Sequence, residues 1–187
     1  MRPFLQDPPA AALDRPPMIP SPSLLRVIRS SSDPNNPAPE EIVDAVRRLG
    51  RVAVVGISRD PMKPARRVPS YLATKGVEII PVNPYATRIL GKPVRRSLAE
   101  VTEPVDLVLL FRPSAQVGPF VKLAAGRAER PVIWMQEGIR SDEEAGQARA
   151  AGLTVVQDLC IYKVHRAMGL EDTPRGRSSQ SGSDFGG

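Results

Sequence analysis

The residues with the clearest chemical potential are Gly56, Ile57 and Ser58, which end a short apolar run rich in β-branched side chains. Four basic residues follow this turn: Arg59, Lys63, Arg66 and Arg67. The pattern predicts a buried strand, a tight turn and a helix that begins soon after it. Backbone N–H groups and a helix N-terminus converge at such a turn, which therefore suits an anion such as a phosphate group. A plain buried strand followed by a solvated loop is the alternative interpretation.

Composition limits the classes of protein to which the chain can belong. Its 187 residues are enough for one ordinary core, and its single cysteine excludes an internal disulfide framework. The sequence shows neither an apolar stretch of membrane-spanning length nor a secretory signal, so we expect a cytoplasmic protein. The net charge is +6, and the excess of positive charge lies in residues 41–170. A basic core suits an anionic partner, either nucleic acid or a phosphorylated small molecule.

The distribution of residue types predicts one folded domain between two tails. Residues 1–39 are rich in proline and residues 171–187 in glycine, serine and arginine, so both segments are predicted to be disordered. Between them, residues 40–170 alternate apolar runs with helical patterns. The predicted strands end at Gly56 or cover 77–82, 105–111, 131–135 and 153–156; the predicted helices cover 39–50, 67–75, 114–127, 141–152 and 160–168, with Ser114 and Ser141 as caps. This alternation predicts an α/β fold, a Rossmann-like doubly wound parallel sheet of about five strands.

Such a sheet binds its ligand outside the carboxyl ends of the strands. The segments at those ends are 56–58, 81–84, 111–113, 136–138 and 157–160. A nicotinamide dinucleotide is disfavoured, because the first turn is Gly56-x-Ser58 and lacks the later glycines of the dinucleotide fingerprint. The second strand ends at Asn83, where an acidic residue would hold a ribose hydroxyl in a dinucleotide site. Asn83 remains able to hydrogen-bond a base or a sugar.

Several of these segments together resemble a known family. They are residues 52–58, Lys63-Pro64-Ala65, residues 68–72, Pro81-Val82-Asn83-Pro84, Gly91, residues 134–139 and Asp158-Leu159-Cys160. In this order they are similar to the small stand-alone CoA-binding domain family, which resembles the CoA-binding domain of the succinyl-CoA synthetase α-subunit. The resemblance covers about residues 45–170, nearly all of the predicted core.

The resemblance implies that the chain binds coenzyme A or an acyl-CoA, and it assigns roles to individual positions. Gly56, Ile57 and Ser58 would receive the phosphates, with Lys63 as a counter-charge. The adenosine end would be flanked by Pro81, Val82 and Asn83. The loop after the third strand that contacts the cofactor would be Phe111, Arg112 and Pro113. The residues toward the pantetheine arm would be Gln136 and Gly138.

The synthetase carries its phosphorylated histidine on a second domain that has no counterpart here. The resemblance therefore implies binding without catalysis by this chain. His165, the single histidine, has no evident orienting partner and fits a surface or helix-end position. Cys160 follows the fifth strand, so it is either a packing residue or a thiol close enough to form a mixed disulfide with CoA. No Cys/His cluster indicates a metal site.

Two other classes of function remain as alternatives. A nucleic-acid-binding domain would explain the basic core, but aromatic residues make up only 4% of the chain and no recognised binding module is present. A nucleotide-dependent oxidoreductase or transferase would use the same crevice, but the dinucleotide fingerprint and an acid–base pair are missing. We expect no membrane association, and the sequence indicates no protein partner.

Overall fold

The computed structural model describes residues 19–169. Its helices are α1 (Pro22–Ile28), α2 (Pro39–Arg47), α3 (Pro64–Thr74), α4 (Ser114–Ala125), α5 (Asp142–Ala150) and α6 (Ile161–Ala167). Its strands are β1 (Arg51–Val55), β2 (Glu78–Val82), β3 (Arg88–Ile89), β4 (Lys92–Pro93), β5 (Leu107–Leu110), β6 (Val132–Met135) and β7 (Val155–Val156). A 3₁₀ turn (Leu98–Glu100) leads toward β5.

Five strands form the central sheet, and all neighbouring pairs are parallel. Their order is β2-β1-β5-β6-β7, so the chain winds outward from β1 to β2 and then crosses back to β5. The direction of winding reverses between β1 and β5. This arrangement confirms the predicted Rossmann-like, doubly wound sheet. In such a sheet the ligand crevice lies at the carboxyl edge, beside the point of reversal.

The sheet is covered on both faces, which explains why its strands are apolar throughout. All four residues of β5 are buried, and alternate residues point to opposite faces. One face packs against α1, α2, α3 and α6, and the largest buried side chain on that face is Trp134. The other face packs against α4 and α5 through smaller side chains such as Val117 and Ala148. The Trp134 indole donates its N–H to the Leu159 carbonyl at 2.7 Å.

The start of α4 differs from the prediction that Ser114 caps it. Pro113 is the N-cap, and Ser114 is the first residue of the helix. The Ser114 hydroxyl instead accepts a hydrogen bond from the Arg140 backbone N–H at 3.0 Å. Its local helix-capping signal is overridden by a contact between two loops that lie far apart in the sequence.

The prediction that residues 1–39 are disordered is wrong for the part that the structure describes. Residues 22–28 form α1, which begins after Ser21, whose hydroxyl accepts the Leu24 N–H at 3.3 Å. Leu24 and Ile28, 1% and 7% exposed, join the core beside the residues of α6. The helix exists because docking buries these two side chains, since seven residues are too few for a stable isolated helix. Residues 1–18 and the predicted tail 171–187 lie outside the described residues.

A segment that we call the strap, residues 31–36, links α1 to α2 across the carboxyl end of β7. The Asn36 side chain bonds to the Gln157 backbone as a neighbouring strand would. Its Oδ1 accepts the Gln157 backbone N–H, and its Nδ2 donates to the Gln157 carbonyl, each at 2.8 Å. The Ser31 hydroxyl donates to the same carbonyl at 2.8 Å. The folded domain therefore begins well before residue 40.

A small hairpin after β2 was not predicted. β3 and β4 pair antiparallel around Leu90 and Gly91, whose φ angles are 53° and 72°. Two successive positive φ angles are typical of the tight turns that join hairpin strands. Each strand has only two residues, too few to produce a readable alternation of apolar and polar residues.

Candidate functional site

A cleft of about 470 Å³ opens at the carboxyl edge of the sheet, where the direction of winding reverses. It lies over the ends of β1, β2 and β5. Its lining residues are Gly56, Ile57, Ser58, Arg59, Asp60, Lys63, Ala65, Asn83, Tyr85 and Phe111. The cleft is where the fold predicts a ligand, so these residues form the candidate site.

Gly56 forms the sharp turn at the end of β1, and no other residue type fits well there. Its φ is +81°, in the left-handed region. A Cβ atom at this position would lie 2.7 Å from the Phe111 carbonyl oxygen and 3.0 Å from Cδ of Arg112. The backbone of β1 thus turns directly against the loop after β5. This close approach brings the backbone of the turn to the surface of the cleft.

The loop after Gly56 is organised by its own polar groups. The Ser58 N–H donates to the Ala65 carbonyl at 3.1 Å, which ties the turn to the first residues of α3. The Ser58 hydroxyl accepts the Asp60 N–H at 3.1 Å, and the Asp60 carboxylate accepts the Met62 N–H at 2.9 Å. These bonds hold a rigid loop between β1 and the start of α3.

The N-terminus of α3 points its positive end at this loop. Lys63 is the N-cap residue, Pro64 is in the first turn, and no side chain of residues 19–169 caps the helix. No acidic residue lies in that first turn, where one would ordinarily offset the helix dipole. The Arg66 and Arg67 N–H groups bond to the Lys63 carbonyl at 2.9 and 3.0 Å, so the helix dipole and the exposed lysine are what make this end of α3 suit an anion. The structure thus brings together the glycine turn and the basic residue that the sequence singled out.

Asn83 joins two loops of the cleft. Its Nδ2 donates to the Ile57 carbonyl at 2.8 Å. Its Oδ1 accepts the backbone N–H groups of Tyr85 at 2.8 Å and Ala86 at 3.2 Å. The amide oxygen is thus committed to the protein, and the side chain fixes the loop after β2 against the loop after β1.

Arg112 lies directly behind the glycine turn. Its guanidinium donates to the Gln116 side chain at 2.7 Å and lies 6.0 Å from the Phe120 ring centre. Its Nε is buried and has no hydrogen-bond partner among residues 19–169. A buried charged donor without a partner costs free energy. Arg112 does not line the cleft, so this cost falls on the packing behind the Gly56 turn.

The other residues that the sequence assigned to the site lie outside the lining of the cleft. Pro81 and Val82 are buried within β2, where they pair with Val54 and Val55. Pro113 is exposed at the N-cap of α4.

The loop after β6 contributes no residue to the lining of the cleft. The Gln136 side chain is buried; its Oε1 accepts the Ile161 N–H at 2.9 Å, and its Nε2 contacts Sγ of Cys160 at 3.4 Å. Gly138 has a φ of +79°, and no described atom lies within 4 Å of the position that a Cβ would take there. The Gly138 N–H donates to the Asp158 carboxylate at 2.6 Å.

The two residues considered as reactive groups are buried and committed to packing. Cys160 is 8% exposed and belongs to the core on the α6 side of the sheet. His165 is 3% exposed, and its Nδ1 lies 3.0 Å from the Tyr71 hydroxyl. Of the two positions predicted for His165, the surface is wrong and the helix end is confirmed, since the residue lies in the last turn of α6. Neither residue lines the cleft, although Cys160 does lie at the predicted edge of the sheet.

The strap closes the other end of this edge, beyond β6. Asp158 accepts the Gly138 N–H and, at 2.9 and 2.6 Å, the backbone N–H and hydroxyl of Ser32. Burial opposes its charge, but the hydrogen bonds from Ser32 and Gly138 outweigh that effect and hold the pKa of Asp158 below its ordinary value. The carboxylate thus bridges the strap and the loop after β6 in its ionised form.

Asp33 anchors the strap from beneath. Its side chain is 1% exposed and accepts hydrogen bonds from Arg149 at 2.7 Å and from Gln157 at 2.9 Å. Burial disfavours the charge, yet the hydrogen bonds from Gln157 and Arg149 prevail, so the pKa of Asp33 is lowered. A buried carboxylate with these partners fixes the position of the strap.

Sequence reasoning missed four of the lining residues. Arg59, Asp60, Ala65 and Tyr85 face the cleft; Arg59 was noted as part of the basic cluster and Ala65 as part of the family motif, but neither was assigned to the site. The signal that could have found them is their position in the sequence, because each lies within three residues of a predicted site residue, in a loop that the fold brings to the carboxyl edge.

Within residues 19–169, no three His, Cys, Asp or Glu side chains lie close enough together to hold a metal ion. None of the helices described has the length and apolarity needed to cross a bilayer.

Comparison with known proteins identifies the family. The sequence pattern of the CoA binding domain matches residues 50–166, well over half of the chain. This chain belongs to the CoA binding domain family. A relative, the protein YneT of Bacillus subtilis (strain 168), is 38% identical over 130 residues, which are 70% of this chain and 96% of YneT. The resemblance inferred from the sequence motifs is thus confirmed.

Solved structures of relatives have the same fold as this CoA binding domain. The structure of cell-free ID.343 from Thermus thermophilus is 34% identical, with a TM-score of 0.63, and the match covers 68% of this chain and 96% of that one. A protein from Pyrococcus horikoshii OT3 is 28% identical, with a TM-score of 0.64, over 68% of this chain and 89% of that one. The strap and α1 lie outside the matched residues 50–166.

Proposed function

We propose that this protein binds coenzyme A or an acyl-CoA in the cleft at the carboxyl ends of β1, β2 and β5. The observation that carries the proposal is the cleft at the Gly56 turn, whose lining includes Arg59 and Lys63. It adjoins a helix N-terminus that no side chain of residues 19–169 caps and that has no acidic residue in its first turn. Membership of the CoA binding domain family supports coenzyme A as the anion. Gly56 itself is required by packing, because a Cβ there would lie 2.7 Å from the Phe111 carbonyl oxygen.

The residues of the cleft have distinct roles in this proposal. The Ser58 hydroxyl and the positive end of α3 hold the phosphates, and Lys63 supplies a mobile positive charge at the rim. Asn83 acts by positioning, because its amide ties the loop after β2 to the loop after β1. The CoA thiol, free or acylated, is the group that the bound cofactor would present to other molecules.

We further propose that the chain has no catalytic activity of its own. Support comes from the positions of Cys160 and His165, which are buried in the core and lie outside the lining of the cleft. Among residues 19–169, Asp60 is the acidic residue that lines the cleft, and its carboxylate caps the Met62 N–H. If the chain has no catalytic activity, acyl-CoA levels should stay constant during incubation with the protein; hydrolysis of the acyl-CoA would overturn this proposal.

We also propose a reducing, cytoplasmic compartment, which fits the single cysteine.

Isothermal titration calorimetry tests the binding proposal directly. The full chain is titrated with CoA, ADP, NAD and a single-stranded oligonucleotide in the same buffer at fixed salt. We expect CoA to bind at least tenfold more tightly than NAD, because the turn lacks the glycines of a dinucleotide site. Equal or tighter binding of NAD would refute the proposal. Tight binding of the oligonucleotide without binding of CoA would support the nucleic-acid alternative instead.

Native mass spectrometry of the freshly purified protein gives a second, independent test. A cofactor retained through purification appears as a defined mass increment that disappears on denaturation. An increment equal to CoA or an acyl-CoA is the expected result and would also identify the acyl group. An increment of a different nucleotide would overturn the proposal.

A further inference from the structure

Tyr85 is an exposed aromatic residue at the rim of the cleft. Its relative exposure is 86%, whereas the other five aromatic residues among 19–169 are buried or half-buried. Aromatic rings are among the side chains that gain most from burial, so a ring that is left in water at a binding cleft calls for an occupant. The sequence is poor in aromatic residues, at 4%, which makes the position of this one more informative.

The backbone beneath the ring is held in place. Pro84 precedes Tyr85 and restricts the chain at that point. The Tyr85 N–H donates to Asn83 Oδ1 at 2.8 Å, and the same amide donates through Nδ2 to the Ile57 carbonyl at 2.8 Å. The base of the ring is therefore fixed relative to the glycine turn. A ring on a fixed loop loses little freedom when a ligand stacks on it.

Tyr85 offers a flat apolar face and a hydroxyl, and Arg59 and Lys63 bring positive charge to the lining of the same cleft. Positive charge binds phosphate groups without distinguishing the molecules that carry them. A flat ring face stacks on a planar, aromatic group, and a nucleobase is such a group. The lining of the cleft thus suits both parts of a nucleotide.

We propose that Tyr85 is the specificity residue of the cleft and that it stacks on the purine base of the ligand. The inference rests on the proposed binding of CoA and deepens it, since neither family membership nor the fold assigns a role to this side chain. Base–aromatic stacking contributes about 1–3 kcal/mol per base, which corresponds to about 5- to 150-fold in affinity. The base therefore adds selectivity to an affinity that the phosphates supply.

The test compares three variants with three probes by calorimetry. Tyr85→Ala removes the ring, Tyr85→Phe keeps the ring without the hydroxyl, and Leu123→Ala removes an exposed apolar side chain of α4 that does not line the cleft. The probes are CoA, adenosine 3′,5′-bisphosphate, which has the base without the pantetheine arm, and 4′-phosphopantetheine, which has the arm without the base.

We expect Tyr85→Ala to weaken the binding of CoA and of the bisphosphate by the same factor, about 5- to 150-fold, and to leave 4′-phosphopantetheine within twofold of its wild-type affinity. Tyr85→Phe and Leu123→Ala should bind all three probes within twofold of wild type. Hypochromism of the adenine band on binding should be present in the wild type and reduced in Tyr85→Ala.

Different failures refute different statements. If wild type binds CoA and Tyr85→Ala binds it equally well, the inference is wrong and the proposed function stands. An equal loss for 4′-phosphopantetheine would also refute it, because the ring would then be supporting the cleft rather than contacting the base. No binding of CoA by the wild type would overturn the proposed function together with the inference.

Discussion

Replacing Gly56 by alanine tests the close approach on which the candidate site depends. The structure places a Cβ at this position 2.7 Å from the Phe111 carbonyl oxygen, closer than real Cβ contacts allow. The obstacle is backbone in the middle of the sheet edge, so it cannot rotate away as a flexible side chain would. Gly91 offers a matched control: its φ is +72°, similar to the +81° of Gly56, and no described atom lies within 4 Å of its Cβ position.

The expected magnitudes follow from these two environments. Alanine in the left-handed region costs about 1–2 kcal/mol, and a smaller gain from the stiffer unfolded chain offsets part of it. Gly91→Ala should therefore lower the free energy of unfolding by about 1 kcal/mol. Gly56→Ala carries the same backbone cost and an overpacking cost of about 1–3 kcal/mol, because the two loops must move apart. We expect a total loss of about 2–4 kcal/mol.

Urea denaturation followed by circular dichroism measures the difference between the two variants. With a slope near 2 kcal/mol/M, an extra loss of about 1–3 kcal/mol moves the midpoint by about 0.5–1.5 M. Both variants must keep the wild-type slope, so that the shift reports stability alone. Coinciding midpoints for Gly56→Ala and Gly91→Ala would refute the reasoning, because the turn would then relax freely and the approach of β1 to Phe111 would constrain nothing.

Three further predictions follow from the site and the strap. Lys63→Ala should weaken CoA binding by about 1–2 kcal/mol in calorimetry without changing the ligand-free melting temperature, because an exposed lysine buries little; an unchanged dissociation constant would show that Lys63 does not contact the ligand. Leu24→Ala should destabilise the domain by about 2–4 kcal/mol in urea, since the side chain is 1% exposed; a wild-type midpoint would mean that α1 is not docked in solution. Asp33→Asn should cost about 1–3 kcal/mol at pH 7. Because the folded-state pKa of Asp33 is lowered, this difference should persist above pH ~4 and close as the pH falls through the folded value; a difference that grows on acidification would contradict the assignment.

The sheet was predictable from the sequence because each of its strands carries its own signal. β5 is a run of four buried apolar residues, and β1 ends at a glycine that the turn requires. α1 gave a weaker signal, in which Ser21 and Pro22 open a helix that presents Leu24 and Ile28 one turn apart. The proline-rich composition around it outweighed that signal. The helix is stabilised by α6, more than 130 residues later, and a local pattern carries no information about such a contact.

The site was predictable to the level of loops and not of side chains. Position after a strand placed Gly56, Ser58 and Lys63 correctly at the carboxyl edge. The same reasoning also assigned Val82 and Gln136 to the site, but Val82 ends in the core and Gln136 caps the backbone of α6. Whether a residue near a strand end faces the cleft depends on the direction in which its side chain points from the strand and on competing hydrogen-bond and packing partners. Those partners come from other parts of the chain.

The packing of α1 against α6 has a consequence for how the chain is made. Leu24 is synthesised before the residues that bury it, which belong to α6 and begin at Ile161. At about 5–20 residues per second, the docking surface of α1 is completed on the order of 10 s after α1 itself. The strap depends on residues that are synthesised equally late, since Gln157 and Asp158 bind it. Both segments therefore precede the sheet in synthesis and join the fold after it, and until then their apolar side chains are available to chaperones.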